Sequence, residues 1–583
     1  MSQTVNTSRK HPKGLPYLFF TEMWERFGYY LMLGIFVLYM IDVEKGGLAI
    51  RDKVSYDIFG TFIAITYLTP FLGGFLADKQ LGYIKSVYIG GALMGLGYLG
   101  LGLPGLEYFG VEMTEGIVMT SFWISVFLIV VGNGFFKPSI STLLGNLYST
   151  PEFKDRKDWG YNLFYMGINI GALLGPIFAA FMRNKYNWSA SFATAGIGMF
   201  IGLVVFSFGL KHIRSGERQP SKPDSDSLLE GLPGAEHKED SSIRQVLGYV
   251  FLPAMIAGLL GWFLPGMLFG TTLMDSQSTD AFLFAAVPVV IFYVSLWAKA
   301  KESEKRPIAA LLAVFAISIV FWAVFKQNGT ALTNWGKYFT DREVPATIEP
   351  LARTLYQVEE MPSAPAMVAQ YDDQFRAAKG EDGEVVRAMS QNIYFRNLPP
   401  DRVPTDGRTV YLTSTELFQS INPIWVVLLT PAVVGFFAWL RRRKKEPTTP
   451  TKIALGLVIS GLSTLVMVGA VYASSNGAMK VSPWWLVGTY GVITVGELLL
   501  SPMGLSLVSK LSPPRLTALM MGGFFLSTAI GNKMSGVLAG MWYGYENKAN
   551  FFLVNCLLLL AAAGMAFAIL KWLNRVMAEK NIR

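Results

Sequence analysis

The sequence predicts an all-α protein that crosses a membrane many times. Three observations carry that reading. Hydrophobic residues make up 52% of the 583-residue chain and charged residues only 16%, whereas soluble domains are about 25% charged. Mean hydropathy is +0.38, and apolar runs of about 20 residues, the length an α-helix needs to cross a bilayer, recur along most of the chain. Basic residues gather in alternate loops.

Fourteen spans are expected, near 15–41, 55–77, 85–106, 117–147, 157–182, 187–211, 244–266, 280–299, 307–330, 417–440, 451–473, 483–509, 515–541 and 549–574. One set of loops holds Lys79 and Lys85, Lys154 to Lys157, Lys211 to Arg218, Lys299 to Arg306, Arg441 to Lys445, and Lys510 with Arg515. The termini fall on that side too, with Arg9, Lys10 and Lys13 at one end and Lys571, Arg575, Lys580 and Arg583 at the other. The opposite loops are poorer in base, with Glu107, Glu112, Glu115, Asp275 and Asp280. The positive-inside rule then places both termini in the cytoplasm. The net charge of +9 is thus a topology signal and argues against nucleic acid as a partner. The first apolar stretch carries charges and no small-residue cleavage site, so it does not read as a cleavable leader.

Two hydrophilic segments interrupt the pattern. Residues 213–243, rich in Ser, Pro, Asp, Glu and Lys, read as a flexible cytoplasmic linker. Residues 331–415 lie on the outer side; prolines alternate there with short helices expected over 347–360 and 365–379.

The first span is "TEMWERFGYY" at its centre. A central charge in a membrane helix costs about 2.5–3.5 kcal/mol on the insertion scale. Glu22, Glu25, Arg26, Tyr29 and Tyr30 stand at i, i+3, i+4, i+7 and i+8, so they share one helix face. Glu22 and Arg26 can pair in the favourable i,i+4 order. One glutamate stays in excess, and a carboxylate in such a site can carry a proton. The plain alternative is a fixed salt bridge.

Other polar groups sit inside spans. Lys137 precedes Pro138; Asn162, Tyr165 and Asn169 share a face of the fifth span; Lys326 and Gln327 lie in the ninth. Gln419, Ser420 and Asn422 open the tenth, and Glu497 and Ser501 share a face of the twelfth. An Asn or Ser in a membrane helix also serves as glue between helices. Lys137 and Glu497 are lone charges, and together they describe a cavity with a cationic and an anionic end, suited to a zwitterion. A weak repeat relates GNGFFKP (132–138) to GELLLSP (496–502), each with Gly six residues before Pro; paired Gly/Pro-interrupted helices mark transporters built from two related halves. Gly74, Asp78, Lys79 and Gly82 fit the Gly-x-x-x-Asp-Arg/Lys loop pattern of major facilitator transporters, where the aspartate accepts from a neighbouring helix N-terminus. A simple cap and turn is the alternative.

These residues resemble the proton-dependent oligopeptide transporter family, the peptide branch of the major facilitator superfamily. The likeness rests on Glu22-x-x-Glu25-Arg26-Phe27 with Tyr29-Tyr30, YLTPFLGGFLAD (67–78), GNGFFKPSIS (132–141), FYMGINIGALLGP (164–176), FWAVFKQ (321–327), FQSINP (418–423) and GELLLSPMGLS (496–506). It implies two six-helix bundles, 1–212 and 307–583, with two additional helices in 244–306 between them and 331–415 as a periplasmic or extracellular insertion. It implies proton coupling by Glu22, Glu25 and Arg26 with Lys137 as partner, peptide carboxylate at Lys137, and peptide amine at Glu497 with Asn169 and Asn422. Tyr29, Tyr30 and Tyr67 would line the cavity, and Lys326, Gln327, Ser501 and Phe524 complete the expected substrate site. Gly74, Asp78, Lys79 and Gly82 would form the cytoplasmic gate.

The chain departs from the family pattern at three places. A common arginine is Leu33 here, a common acid is Lys326, and a common tryptophan is Phe524. Losing the arginine and the acid together avoids a buried orphan charge, and Lys326 can then share carboxylate binding. The expected function is proton-coupled symport of di- and tripeptides by alternating access, in a bacterial inner membrane, as a monomer, with the proton gradient and no cofactor or metal. Rival readings are a same-fold proton symporter of another small solute, nitrate or an organic anion, and a peptide sensor without transport. An enzyme is disfavoured: His11, His212 and His237 are terminal or loop residues, and no nucleophile or metal-ligand motif stands out.

Overall fold

The computed structural model describes residues 11–150, 152–153, 156–217, 247–274, 276–513 and 516–579. Most of the linker expected over 213–243 lies outside these residues, as do Arg9, Lys10, Lys154, Asp275, Arg515, Lys580, Arg583 and His237.

The first six long helices are α1 (Leu15–Ile41), α2 (Asp52–Leu76), α3 (Tyr83–Leu101), α4 (Glu115–Leu147), α5 (Lys157–Lys185) and α6 (Trp188–Ile213). They pack as one set: α1 lies against α5 and α6, and α3 and α2 against α4. Next come α7 (Leu252–Phe269) and α8 (Gln277–Lys299), which pack mainly on each other. A second set follows, with α9 (Glu302–Phe325) and two short helices, α10 (Ala331–Tyr338) and α11 (Glu349–Thr354). It is completed by α12 (Ile421–Arg442), α13 (Thr449–Ala473), α14 (Trp484–Leu511), α15 (Thr517–Gly540), α16 (Lys548–Ala568) and α17 (Leu570–Glu579). Within it α13 packs on α14 and α16, and α9 on α15.

Among the described residues, 12 helices are long and apolar enough to cross a membrane. Two more expected spans form helices of 27 and 24 residues, α1 and α15; three charges in its centre set α1 apart. Pro16 sits in the first turn of α1, where its missing N–H costs nothing.

The Gly–Pro repeat occupies equivalent places in the two sets. A Cβ on Gly132 of α4 would stand 2.5 Å from the Gly90 carbonyl of α3, and one on Gly496 of α14 would stand 2.8 Å from the Gly456 carbonyl of α13. Small residues let the backbones meet, which is the usual basis of helix association in lipid.

The insertion is mixed in structure. Strand β1 (Val358–Pro362) pairs antiparallel with β4 (Thr409–Thr413), and β2 (Ala366–Ala369) with β3 (Arg387–Ser390). The helix expected over 347–360 shrinks to α11. The one expected over 365–379 is absent: Ala366–Ala369 is a strand, and Asp372 turns the chain by accepting from the Gln374 and Arg376 amides. An aspartate that satisfies backbone N–H groups in this way favours a turn over a helix.

The two sets meet along α2 and α15, and where α5 meets α12 and the turn before it. Their polar ties cluster at the end where the insertion lies. Ser420 donates to the Leu173 carbonyl (3.1 Å), Asn184 donates to Ser414 (2.7 Å), and Asn334 donates to Tyr56 (2.8 Å).

Candidate functional site: charged residues of the two helix sets

The helical spacing of α1 puts its charges on one buried face. Arg26 forms a bidentate pair with Glu25, its Nη2 lying 2.6 Å from Oε1, and its Nε lies 3.4 Å from Glu22 Oε1. Glu25 is fully buried, and the other Glu22 oxygen has no hydrogen-bond partner. Two carboxylates thus share one guanidinium. Arg26 also lies 4.9 Å above the Tyr29 ring, and Tyr29 meets Tyr30 edge to face.

Lys137, expected as the partner of this cluster, makes no ion pair within 4 Å among the described residues. Its ammonium stands 4.6 Å over the Tyr67 ring of α2. Tyr67 lies within electrostatic reach of Lys137 and Arg26 from the first set and of Lys326 and Glu497 from the second. It is the point where the two sets' charges converge.

In the second set, Glu497 of α14 accepts from Asn422 (3.2 Å), which also donates to Thr494 (2.9 Å). Ser501 lies one turn along α14, half-buried. Asn169, expected beside Glu497, donates to the Tyr165 carbonyl one turn back (2.9 Å). Lys326 caps the end of α9, with its ammonium 5.6 Å from the Phe325 ring. Gln327 turns inward: it is 3% exposed and donates to the Ser535 carbonyl of α15 (3.0 Å). Phe524 is buried against Phe315, and Leu33 packs on the first set's core.

At the opposite end from the insertion, Gly74 ends its helix close to Pro138, and Asp78 lies exposed in a π-helical turn, Ala77–Leu81. The Lys79 side chain is outside what the structure describes. Gly82 adopts φ +78°, which favours glycine. The start of α3 is capped by Glu217, which accepts from the Ile84 amide (3.0 Å). Glu217 follows α6 directly, so chain connectivity delivers it there.

Sequence reasoning passed over two further charge clusters. Arg183 of α5 pairs with Glu416 (2.8 Å) and Glu359 (2.7 Å), and Glu359 also meets Arg342 (3.3 Å). Burial opposes the charged form of Glu359, but Arg183 and Arg342 hold its carboxyl well below the usual range. In α2, Asp57 pairs with Lys533 of α15 at 2.5 Å. The signal for that pair was present as lone charges in the second and thirteenth apolar spans.

The family profile described as PTR2, POT family, matches residues 84–228 and 407–553, one segment in each helix set. This chain belongs to the POT family. It is 26% identical over 562 residues to a di-/tripeptide transporter of Lactococcus lactis, covering 95% of this chain and 94% of the relative. It is 27% identical over 536 residues to dipeptide and tripeptide permease A of Escherichia coli, covering 91% and 85%. The crystal structure of a peptide transporter POT in complex with sulfate matches with TM-score 0.70 and 30% identity, covering 97% of this chain and 96% of that one. POT members and these relatives are transporters, and the helical membrane fold of this chain matches that of the solved transporter.

Proposed function

We propose that this POT-family chain is a proton-coupled symporter of di- and tripeptides that works by alternating access. The observation that carries the reading is the convergence on Tyr67. One set brings a two-carboxylate, one-arginine cluster and an unpaired lysine, and the other brings Glu497 and Lys326. A zwitterionic peptide fits such an arrangement, with its carboxylate toward Lys137 and Lys326 and its amine toward Glu497. The substrate class follows the relatives named for di- and tripeptides.

In this reading the chain has fourteen spans, the twelve apolar helices plus α1 and α15. Both termini face the cytoplasm of a bacterial inner membrane, and the chain acts as a monomer. The bundles are 1–212 and 307–583, with 213–243 a linker and 244–306 the additional pair. The polar ties at the insertion end then close the outer side. A proton on Glu22 or Glu25 would loosen its hold on Arg26, and a peptide spanning Lys137 and Glu497 would draw the bundles together.

Labelled dialanine uptake into proteoliposomes tests this. Accumulation driven by an inward proton gradient is expected. Two lysines that, among the described residues, have no carboxylate within 4 Å favour, as a second reading, an anionic solute; a gradient-driven anion flux that dialanine does not inhibit would establish it.

A further inference from the structure

We infer that Asp57 is a second proton-accepting carboxylate of the transport cycle, set in a latch between the two helix sets that α8 completes. The inference rests on the transport reading above but concerns a site apart from the Glu22–Glu25–Arg26 cluster.

The geometry is specific. Asp57 belongs to α2 and Lys533 to α15, the two helices that form the longest seam between the sets. Lys533 is fully buried and gives its ammonium to Asp57 Oδ1 (2.5 Å), to Thr61 (2.7 Å) and to Ser278 (2.8 Å). The first turn of α8 closes over the same carboxylate. Ser276 donates at 2.8 Å, Thr279 at 2.9 Å, and Ser278 also donates to it. One aspartate thus receives an ammonium and three hydroxyls from two different helices outside its own. Asp280, the nearest acid on α8, is occupied with the Leu273 and Met274 amides. From α2 itself Thr61 joins the node and Lys53 stands one turn before Asp57; Lys533 is the ion-pair partner of Asp57 among the described residues.

Alternating access requires this seam to part at the insertion end. Parting takes Lys533 away and leaves Asp57 with hydroxyl partners alone. A partly buried carboxylate without a cation carries an uncompensated charge, which a proton from the solvent on the insertion side removes. Protonation therefore stabilises the parted state, and deprotonation restores the latch. Leu33 and Lys326 leave no arginine–acid pair between α1 and α9, so the latch at α2 and α15 supplies an ionic tie within the membrane helices. The hydroxyl cap also gives α7–α8 a role: α8 orders the carboxylate for Lys533.

The test reads distance rather than transport, so its failure is distinct from failure of peptide uptake. Nitroxides placed at Val54 and Met541, two exposed positions flanking one cavity at the insertion end, report separation by loss of dipolar broadening. The buried Cys556 is first replaced by Ala. In nanodiscs the parent protein is expected to shift toward the parted state between pH 8 and pH 5.5. Asp57→Asn, which leaves the buried Lys533 ammonium without its carboxylate, should raise the parted-to-latched ratio at pH 8 by about a hundredfold or more and abolish the acid response. Glu25→Gln should keep that response. Lys533→Gln, which leaves Asp57 in place but removes the cation that distinguishes the two states, should also abolish the acid response. An acid response unchanged in Asp57→Asn or in Lys533→Gln, or lost in Glu25→Gln, would overturn the assignment.

Discussion

Two buried clusters in this protein use the same residue types and end in opposite states. On α1, Glu22 and Glu25 share Arg26 as their one ion-pair partner within 4 Å among the described residues, and one Glu22 oxygen has no hydrogen-bond partner there. At the insertion end, Glu359 and Glu416 face Arg183 and Arg342. The first cluster has one carboxylate in excess and lies within a single helix; the second is balanced and ties α5 to the insertion and the turn before α12. Buried pairs hold only when their charges are compensated. The unbalanced cluster is therefore placed to gain and lose a proton, and the balanced one to hold two parts together.

Substitution of Arg183 should break this contrast most strongly. Arg183→Met leaves Glu416 without its cation, and removing one partner of a buried pair typically costs about 3–5 kcal/mol. Thermal unfolding in detergent should show a large drop, and Arg183→Met with Glu416→Met should recover part of it. If Arg183→Met melts like the parent, the cluster is not a clamp.

Lys137 offers the opposite case. Its ammonium rests on an aromatic ring and holds no carboxylate, so Lys137→Gln should leave the melting temperature nearly unchanged. Losing a charge-assisted contact to the peptide carboxylate costs about 2 kcal/mol, roughly thirtyfold in the half-saturation concentration for dialanine. A melting drop without that kinetic change would make Lys137 a structural residue.

Acid sharpens the comparison at Glu359. Its carboxyl is held below its unfolded value, so its contribution to stability is complete above about pH 4.3 and is lost as pH falls through the folded value. Melting curves taken downward from pH 5 should lose stability in the parent and less in Glu359→Gln. Equal slopes would mean that Arg183 and Arg342 do not hold this carboxylate.

The smallest effect is expected at Glu217. Glu217→Ala removes an acceptor from the start of α3, worth about 1 kcal/mol for a helix cap, with little change in transport.

Much of this was legible in the chain because the bilayer simplifies the code. Long apolar runs gave the helices, and a charge within such a run announced itself, as at Glu22 and Glu497. Helical spacing put Glu22, Glu25 and Arg26 on one face, where the structure has them. Partners distant in sequence were harder. Lys137 reads as a partner for α1, and it does lie within electrostatic reach of Glu22 and Glu25; the aromatic face of Tyr67, 70 residues before it, against which its ammonium rests, was not legible. Glu217, which sequence reasoning did not single out, caps α3 because the chain after α6 returns there. Arg183, Glu359 and Glu416 meet only through tertiary packing of the insertion, and nothing local to any of them foretells the meeting. Asp57 and Lys533 did carry the local signal of a lone charge in an apolar run, and the same rule that singled out Glu497 applies to both.

The excess carboxylate on α1 is the centre of this account, and Glu25→Gln tests it most directly. Proteoliposomes holding the parent or Glu25→Gln would be assayed for dialanine accumulation under an inward proton gradient, and for exchange of labelled against unlabelled dialanine without one. The account predicts that the variant loses gradient-driven accumulation and keeps measurable exchange. Accumulation equal to the parent's would contradict it and remove the α1 cluster from proton coupling.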